Sequence, residues 1–186
     1  MRVMIMAAGL GTRLRPLTEH LPKPVAPVGN RPCVDYLLRR IADAGCTGAI
    51  MNLHYHPQTI IDTIGDGSAY GMPVEYSIEE ELLGTAGGTR KCRAFLTAED
   101  DVFLVTSGDG LHTIDLAALA AAHRASGALA TITVKRVEEP HGSSDAMFRV
   151  SIAKLRALCD MAEAMHKVGD LQWKDSLGEN DDGGGQ

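Results

Sequence analysis

Short apolar runs alternate along this chain with segments whose apolar residues return every three or four positions. The runs Arg2–Ala7, Gly48–Leu53, Pro73–Ile78, Val102–Thr106 and Ala128–Val134 are four to eight residues or so in length, as strands are, and turn-forming residues separate them. Between them, Val34, Leu37, Leu38 and Ile41 share one face of a predicted helix that stops at Gly45. Asp115 is placed to cap a second helix over Leu116–Ala125, which Gly127 ends. Strands that alternate with helices pair in parallel through crossover connections. The expected fold is therefore α/β: a doubly wound, mainly parallel, Rossmann-like sheet with helices on both faces. Ligands of such sheets bind beyond the carboxyl ends of the strands.

The alternation stops after Glu138-Glu139-Pro140. "HGSSD" (141–145) reads as a polar linker, and Phe148, Ile152, Leu155, Cys159, Ala162 and Met165 then fall on one face of a C-terminal helix. The final "GENDDGGGQ" has too little apolar surface to pack and is predicted to be disordered. Three regions result: an α/β domain over 1–140, a helical tail over 141–174 and a disordered end over 175–186. The apolar stripe of the tail suits either a sheet edge of this chain or a second copy of it, the latter giving a homo-oligomer through this helix.

Composition narrows the chemistry. With 186 residues, 45% of them apolar, the chain can bury a core, and no apolar run reaches the roughly 18 residues that span a bilayer. A net charge of −6 disfavours a nucleic-acid backbone as partner. The first residues already read as a strand rather than a basic segment followed by an apolar leader, so the cytoplasm is the expected compartment. Cys33, Cys46, Cys92 and Cys159 form no CxxC pair and read as reduced thiols. His54 and His56 in "NLHYHP" have no further ligand at metal-binding spacing and read as a polar strand-end loop.

Residues 7–24, "AAGLGTRLRPLTEHLPKP", lie beyond the first strand, where a ligand is expected. Gly9 and Gly11 let the backbone turn and approach a ligand closely, and successive N–H groups in such a turn bind anions. A Walker loop needs GxxxxGK[ST], which is absent; a dinucleotide loop needs GxGxxG, and Leu14 stands at its third glycine. What remains is a glycine turn backed by Arg13, Arg15 and Lys23, a concentration of positive charge suited to a small-molecule polyphosphate.

The whole string resembles the signature of the sugar-phosphate nucleotidylyltransferases, which join a nucleoside triphosphate to a sugar 1-phosphate. The resemblance continues through "IGDGSAYG" (64–71), "LLGTAGG" (82–88) and "VTSGDG" (105–110), and covers about residues 1–139. It implies that Ala8, Gly9, Gly11, Thr12 and Gly84 contact the nucleotide, that Arg13 holds the departing pyrophosphate and Lys23 the α-phosphate region, and that Asp109 ligates Mg²⁺. These residue types suit the chemistry, because in-line attack on the α-phosphorus needs charge neutralisation and alignment rather than a covalent nucleophile.

The resemblance puts Glu79 at the base edge. A carboxylate accepts hydrogen bonds and guanine offers two adjacent donors, which favours GTP; "LLGTAGG" also resembles the mannose-1-phosphate guanylyltransferase branch of the family, which implies GTP with mannose 1-phosphate as the leading pair. A thymidylyl- or uridylyltransferase for glucose 1-phosphate remains the alternative. The chain departs from the family after the fifth strand. It lacks a "GVV" strand, a Glu-Lys-Pro motif whose lysine meets the sugar phosphate, and a later aspartate for Mg²⁺. A nucleotide-binding module truncated relative to the family, with little or no transfer activity, is the second reading.

Overall fold

The computed structural model describes residues 1–133 and the strand at 150–154. In chain order the elements are β1 (Arg2–Met6), the two-residue strands β2 (Pro27–Val28) and β3 (Arg31–Pro32), α1 (Cys33–Asp43), β4 (Gly48–Leu53), α2 (Pro57–Ile64), β5 (Val74–Ile78), α3 (Gly84–Lys91), α4 (Arg93–Leu96), β6 (Val102–Ser107), α5 (Leu116–Ser126), β7 (Ala130–Ile132) and β8 (Val150–Lys154). The main sheet runs β5-β4-β1-β6-β8-β7, and β5, β4, β1 and β6 are parallel.

The central strands are apolar at most positions because both sheet faces are covered. Alternate residues serve opposite layers. Val3 and Ile5 of β1, with Ala49, Met51 and Leu104, meet the inner stripe of α1 (Val34, Leu37, Leu38, Ile41) and Ile60 and Ile64 of α2. Met4, Ile50 and Phe103 point the other way, onto Cys92 and Leu96 of the α3–α4 segment. Helices thus lie on both faces, as the sequence pattern requires. Asp115 caps α5 by accepting from the Ala118 N–H at 2.9 Å, and Gly127, at φ 63°, ends the helix.

The sheet reverses its winding at β1: β4 and β5 add on one side and β6 on the other. The ends of β1 and β6 therefore frame the crevice where a ligand is expected.

One expectation is corrected. Val150–Lys154, placed within the C-terminal helix by the spacing of Phe148 and Ile152, is a strand, antiparallel to both β6 and β7. An unpaired strand edge on each side offers ladder hydrogen bonds that outweigh a five-residue match to helical spacing. The sheet accordingly extends beyond residue 140. The predicted linker at 141–145, the helix from Leu155 onward, the end at 175–186, Cys159 and Val134 lie outside the described residues. Cys33, Cys46 and Cys92 are buried and free. No helix among the described residues is long and apolar enough to cross a membrane.

Candidate active site

A cleft of about 450 Å³ opens beyond the ends of β1 and β6. Ala8, Gly9, Gly11, Thr12, Arg13, Lys23, Glu79, Gly84 and Asp109 all line it, whereas Arg15, the other basic residue of the loop, is exposed and outside it. Met6, Ala7, Leu10, Pro24, Asn52, Leu82, Thr85 and Ser107 complete the wall.

The two glycines of the first loop have different jobs. Gly11 makes the turn, with φ 67° in the left-handed region, and its carbonyl accepts from the fully buried Thr18 hydroxyl at 2.7 Å. A Cβ there would also stand 3.1 Å from Thr18. Gly9 is not among the positive-φ glycines, and a Cβ on it meets nothing within 4 Å, so its bareness leaves room in the cleft. Thr18 is held in turn by Tyr55 beyond β4, whose hydroxyl donates to the carbonyls of Thr18 and Glu19 at 3.0 and 2.7 Å. The short turn Thr12–Leu14 then presents Arg13 at the rim.

Opposite the loop, Lys23 Nζ sits 2.7 Å from Asp109 Oδ2, and the Ser107 hydroxyl donates to Asp109 Oδ1. Burial pushes the Asp109 carboxyl up, but the hydrogen bonds from Lys23 and Ser107 outweigh it and hold the group below the usual aspartate value. Asp109 is therefore an anion at neutral pH. Gly108 brings the two strand ends together: its N–H donates to the Met6 carbonyl at 2.9 Å, and a Cβ would lie 3.3 Å from that oxygen.

The far wall is a buried polar row. Asn52, at the end of β4, accepts from the Ala7 N–H at 2.9 Å and donates to Glu79 Oε1 at 2.9 Å. Glu79 Oε2 accepts from the Leu83 N–H at 3.1 Å. Glu79 is only 2% exposed, so both carboxylate oxygens face the protein before any base arrives. His54 of the HxH pair is engaged as well, its Nδ1 donating to the Glu79 carbonyl at 2.8 Å, which assigns the proton to that nitrogen.

The residues present fit a hard cation of the magnesium type. Among the described residues no three His, Cys, Asp or Glu side chains gather into a cage. Asp109 supplies one anionic oxygen ligand in an open cleft, and magnesium commonly takes one or two carboxylates and fills its shell with water and substrate phosphate.

Sequence reasoning missed Asn52, Ser107, Thr18 and Gly88. Asn52 left one signal, a lone amide in the otherwise apolar strand "GAIMNL".

Known proteins are similar to most of this chain. The yeast Candida albicans has a mannose-1-phosphate guanyltransferase 38% identical over 141 residues, 75% of this chain and 39% of that protein. A UTP–glucose-1-phosphate uridylyltransferase of Synechocystis is 36% identical over 153 residues, 77% of this chain and 39% of that protein. The chain thus spans about two fifths of the length of both. Among solved structures, a putative glucose-1-phosphate thymidylyltransferase from Bacillus anthracis, in complex with a sucrose, superposes with a TM-score of 0.76 at 18% identity over 88% of this chain and 75% of that one, a likeness of fold. Residues 2–143, which carry the glycine loop, the buried Asn52–Glu79 row and the Lys23–Asp109 pair, match the family described as Nucleotidyl transferase, and the chain belongs to that family.

Proposed function

We propose that the cleft binds a nucleoside triphosphate with Mg²⁺ and serves transfer of its nucleotidyl group to a sugar 1-phosphate, with GTP and mannose 1-phosphate as the substrates. The observation that carries this reading is the pair Lys23–Asp109 facing the glycine loop across one cleft. A cation and a carboxylate held below its ordinary pKa are what a triphosphate and its metal need on one wall, with backbone N–H groups and Arg13 on the other.

In the proposed reaction a phosphate oxygen of the sugar 1-phosphate attacks the α-phosphorus. The bond from that phosphorus to the bridging oxygen breaks, and pyrophosphate leaves. The bound cation would neutralise charge on the phosphoryl oxygens. Arg13 holds the departing pyrophosphate, Lys23 exchanges part of its contact with Asp109 for the α-phosphate, and Asp109 anchors the cation. Gly9 leaves the loop open to the phosphates. The base lies toward Leu82, Gly84 and Thr85, where Glu79 favours guanine through lone pairs left over from its bonds to Asn52 and Leu83. The low exposure of Glu79 requires Leu82–Gly84 to shift as guanine enters.

Isothermal titration with Mg²⁺ tests binding, and pyrophosphate release tests transfer with GTP and mannose 1-phosphate against UTP and glucose 1-phosphate. GTP is expected to bind the more tightly. Tighter UTP binding would replace the guanine assignment with the uridylyl one, and absence of binding by either triphosphate would reject the reading.

A further inference from the structure

Three hydrogen bonds join the glycine loop to the start of α3. Ala7 N–H, on the first residue of the loop, donates to Asn52 Oδ1 at 2.9 Å; Asn52 Nδ2 donates to Glu79 Oε1 at 2.9 Å; and Leu83 N–H, next to Gly84, donates to Glu79 Oε2 at 3.1 Å. The row is buried, with Asn52 1% and Glu79 2% exposed. Gly88 closes over it so tightly that a Cβ there would lie 2.7 Å from Glu79 Oε1 and 2.8 Å from Asn52 Nδ2.

We propose that Asn52 is a positioning residue that couples the base side of the cleft to the phosphate loop. The assignment follows from donor and acceptor parity. Both ends of the row are backbone N–H groups, which only donate, so the two side chains between them must present an acceptor to each end and one donor–acceptor pair to each other. An amide beside a carboxylate meets that condition in one orientation. Asn52 offers oxygen to Ala7 and NH₂ to Glu79; neither two carboxylates nor two amides can complete the row without an added proton or a donor facing a donor. A shift of Leu83 as the base enters is thereby passed to Ala7, where the loop begins. The consequence for catalysis rests on the proposed nucleotide site, whereas the coupling itself can be read in the free protein.

The parity argument makes a test with a rescue built in. Asn52→Asp leaves two acceptors facing each other, and Glu79→Gln leaves two donors facing each other however the amides turn. The double variant N52D/E79Q restores every link, since the carboxylate now on β4 accepts from Ala7 and from the amide now opposite it, whose oxygen accepts from Leu83. Amide hydrogen exchange at Ala7 and Leu83 is the readout. Each single variant is expected to speed exchange at Ala7 roughly 5- to 150-fold, the effect of one unsatisfied buried group, and the double variant to return it to near the native rate. Glu79→Gln is the telling case, because Glu79 does not touch Ala7.

Native exchange at Ala7 in both single variants would overturn the proposal, as would a double variant exchanging as fast as the faster single. Thermal midpoints supply the same cycle where every variant folds, and a double variant no more stable than the worse single refutes the coupling; where a single variant does not fold, a double variant that also fails to fold refutes it. Titration with Mg²⁺ and inorganic tripolyphosphate runs alongside. Failure of the native chain to bind it would count against the nucleotide reading, while the exchange pattern would still decide the role of Asn52.

Discussion

Gly88→Ala sets two known effects against each other at one position. The residue lies inside α3, where alanine is favoured over glycine by about 1 kcal/mol. Its φ is not in the left-handed region, so the backbone raises no objection. The new methyl group would nevertheless stand 2.7 Å from Glu79 Oε1 and 2.8 Å from Asn52 Nδ2, closer than side-chain contacts are found. Both atoms end flexible side chains and can retreat, but only by parting from each other. Crowding of this kind costs about 1–3 kcal/mol, and separating a buried hydrogen-bonded pair costs about 1–3 kcal/mol more. The steric and polar losses exceed the helical gain, and a net destabilisation of about 3 kcal/mol is expected. For a chain of this size that lowers the thermal midpoint by about 6–12 °C. Calorimetry or circular dichroism on the two proteins checks it. A midpoint that stays level or rises would show that helix propensity wins, and that the row beneath Gly88 is looser than its distances indicate.

Other substitutions separate stability from binding. Gly9→Ala, whose methyl group meets no protein atom, should leave the thermal midpoint within about 2 °C of native while weakening triphosphate affinity in isothermal titration. Arg13→Ala should lower that affinity by about 1.5–3 kcal/mol, the worth of a charge-assisted phosphate contact, and unchanged affinity would remove Arg13 from the site. For Asp109, a depressed carboxyl pKa means that its stabilising contribution is present above the unfolded value of about 3.9 and lost as the pH falls through the folded value. The stability advantage of the native chain over Asp109→Asn, measured by urea unfolding, should accordingly shrink between neutral pH and about pH 3; a constant gap would contradict the ion pair with Lys23.

Much of this protein is written locally. The strands β1, β4 and β6 are legible because a strand buried on both faces must be apolar at nearly every position, α1 because one face repeats at helical spacing, and α5 because Asp115 and Gly127 mark its ends. The glycine loop is legible because it is local: Gly9, Gly11, Thr12 and Arg13 follow closely in the chain and line the same cleft. Lys23 and Asp109 announced themselves through motifs, but their contact, across 86 positions, appears only once β6 lies beside β1. Asn52 shows the limit more sharply. Its partners are 45 and 27 residues away, and nothing in "GAIMNL" says that its amide must face a backbone N–H on one side and a carboxylate on the other. Tertiary structure also decided Val150–Lys154, where helical spacing pointed one way and the open edges of β6 and β7 pulled the other. Periodicity records which face of an element is buried; which groups must pair, and with what, is set by the backbone donors and acceptors that other elements leave unsatisfied.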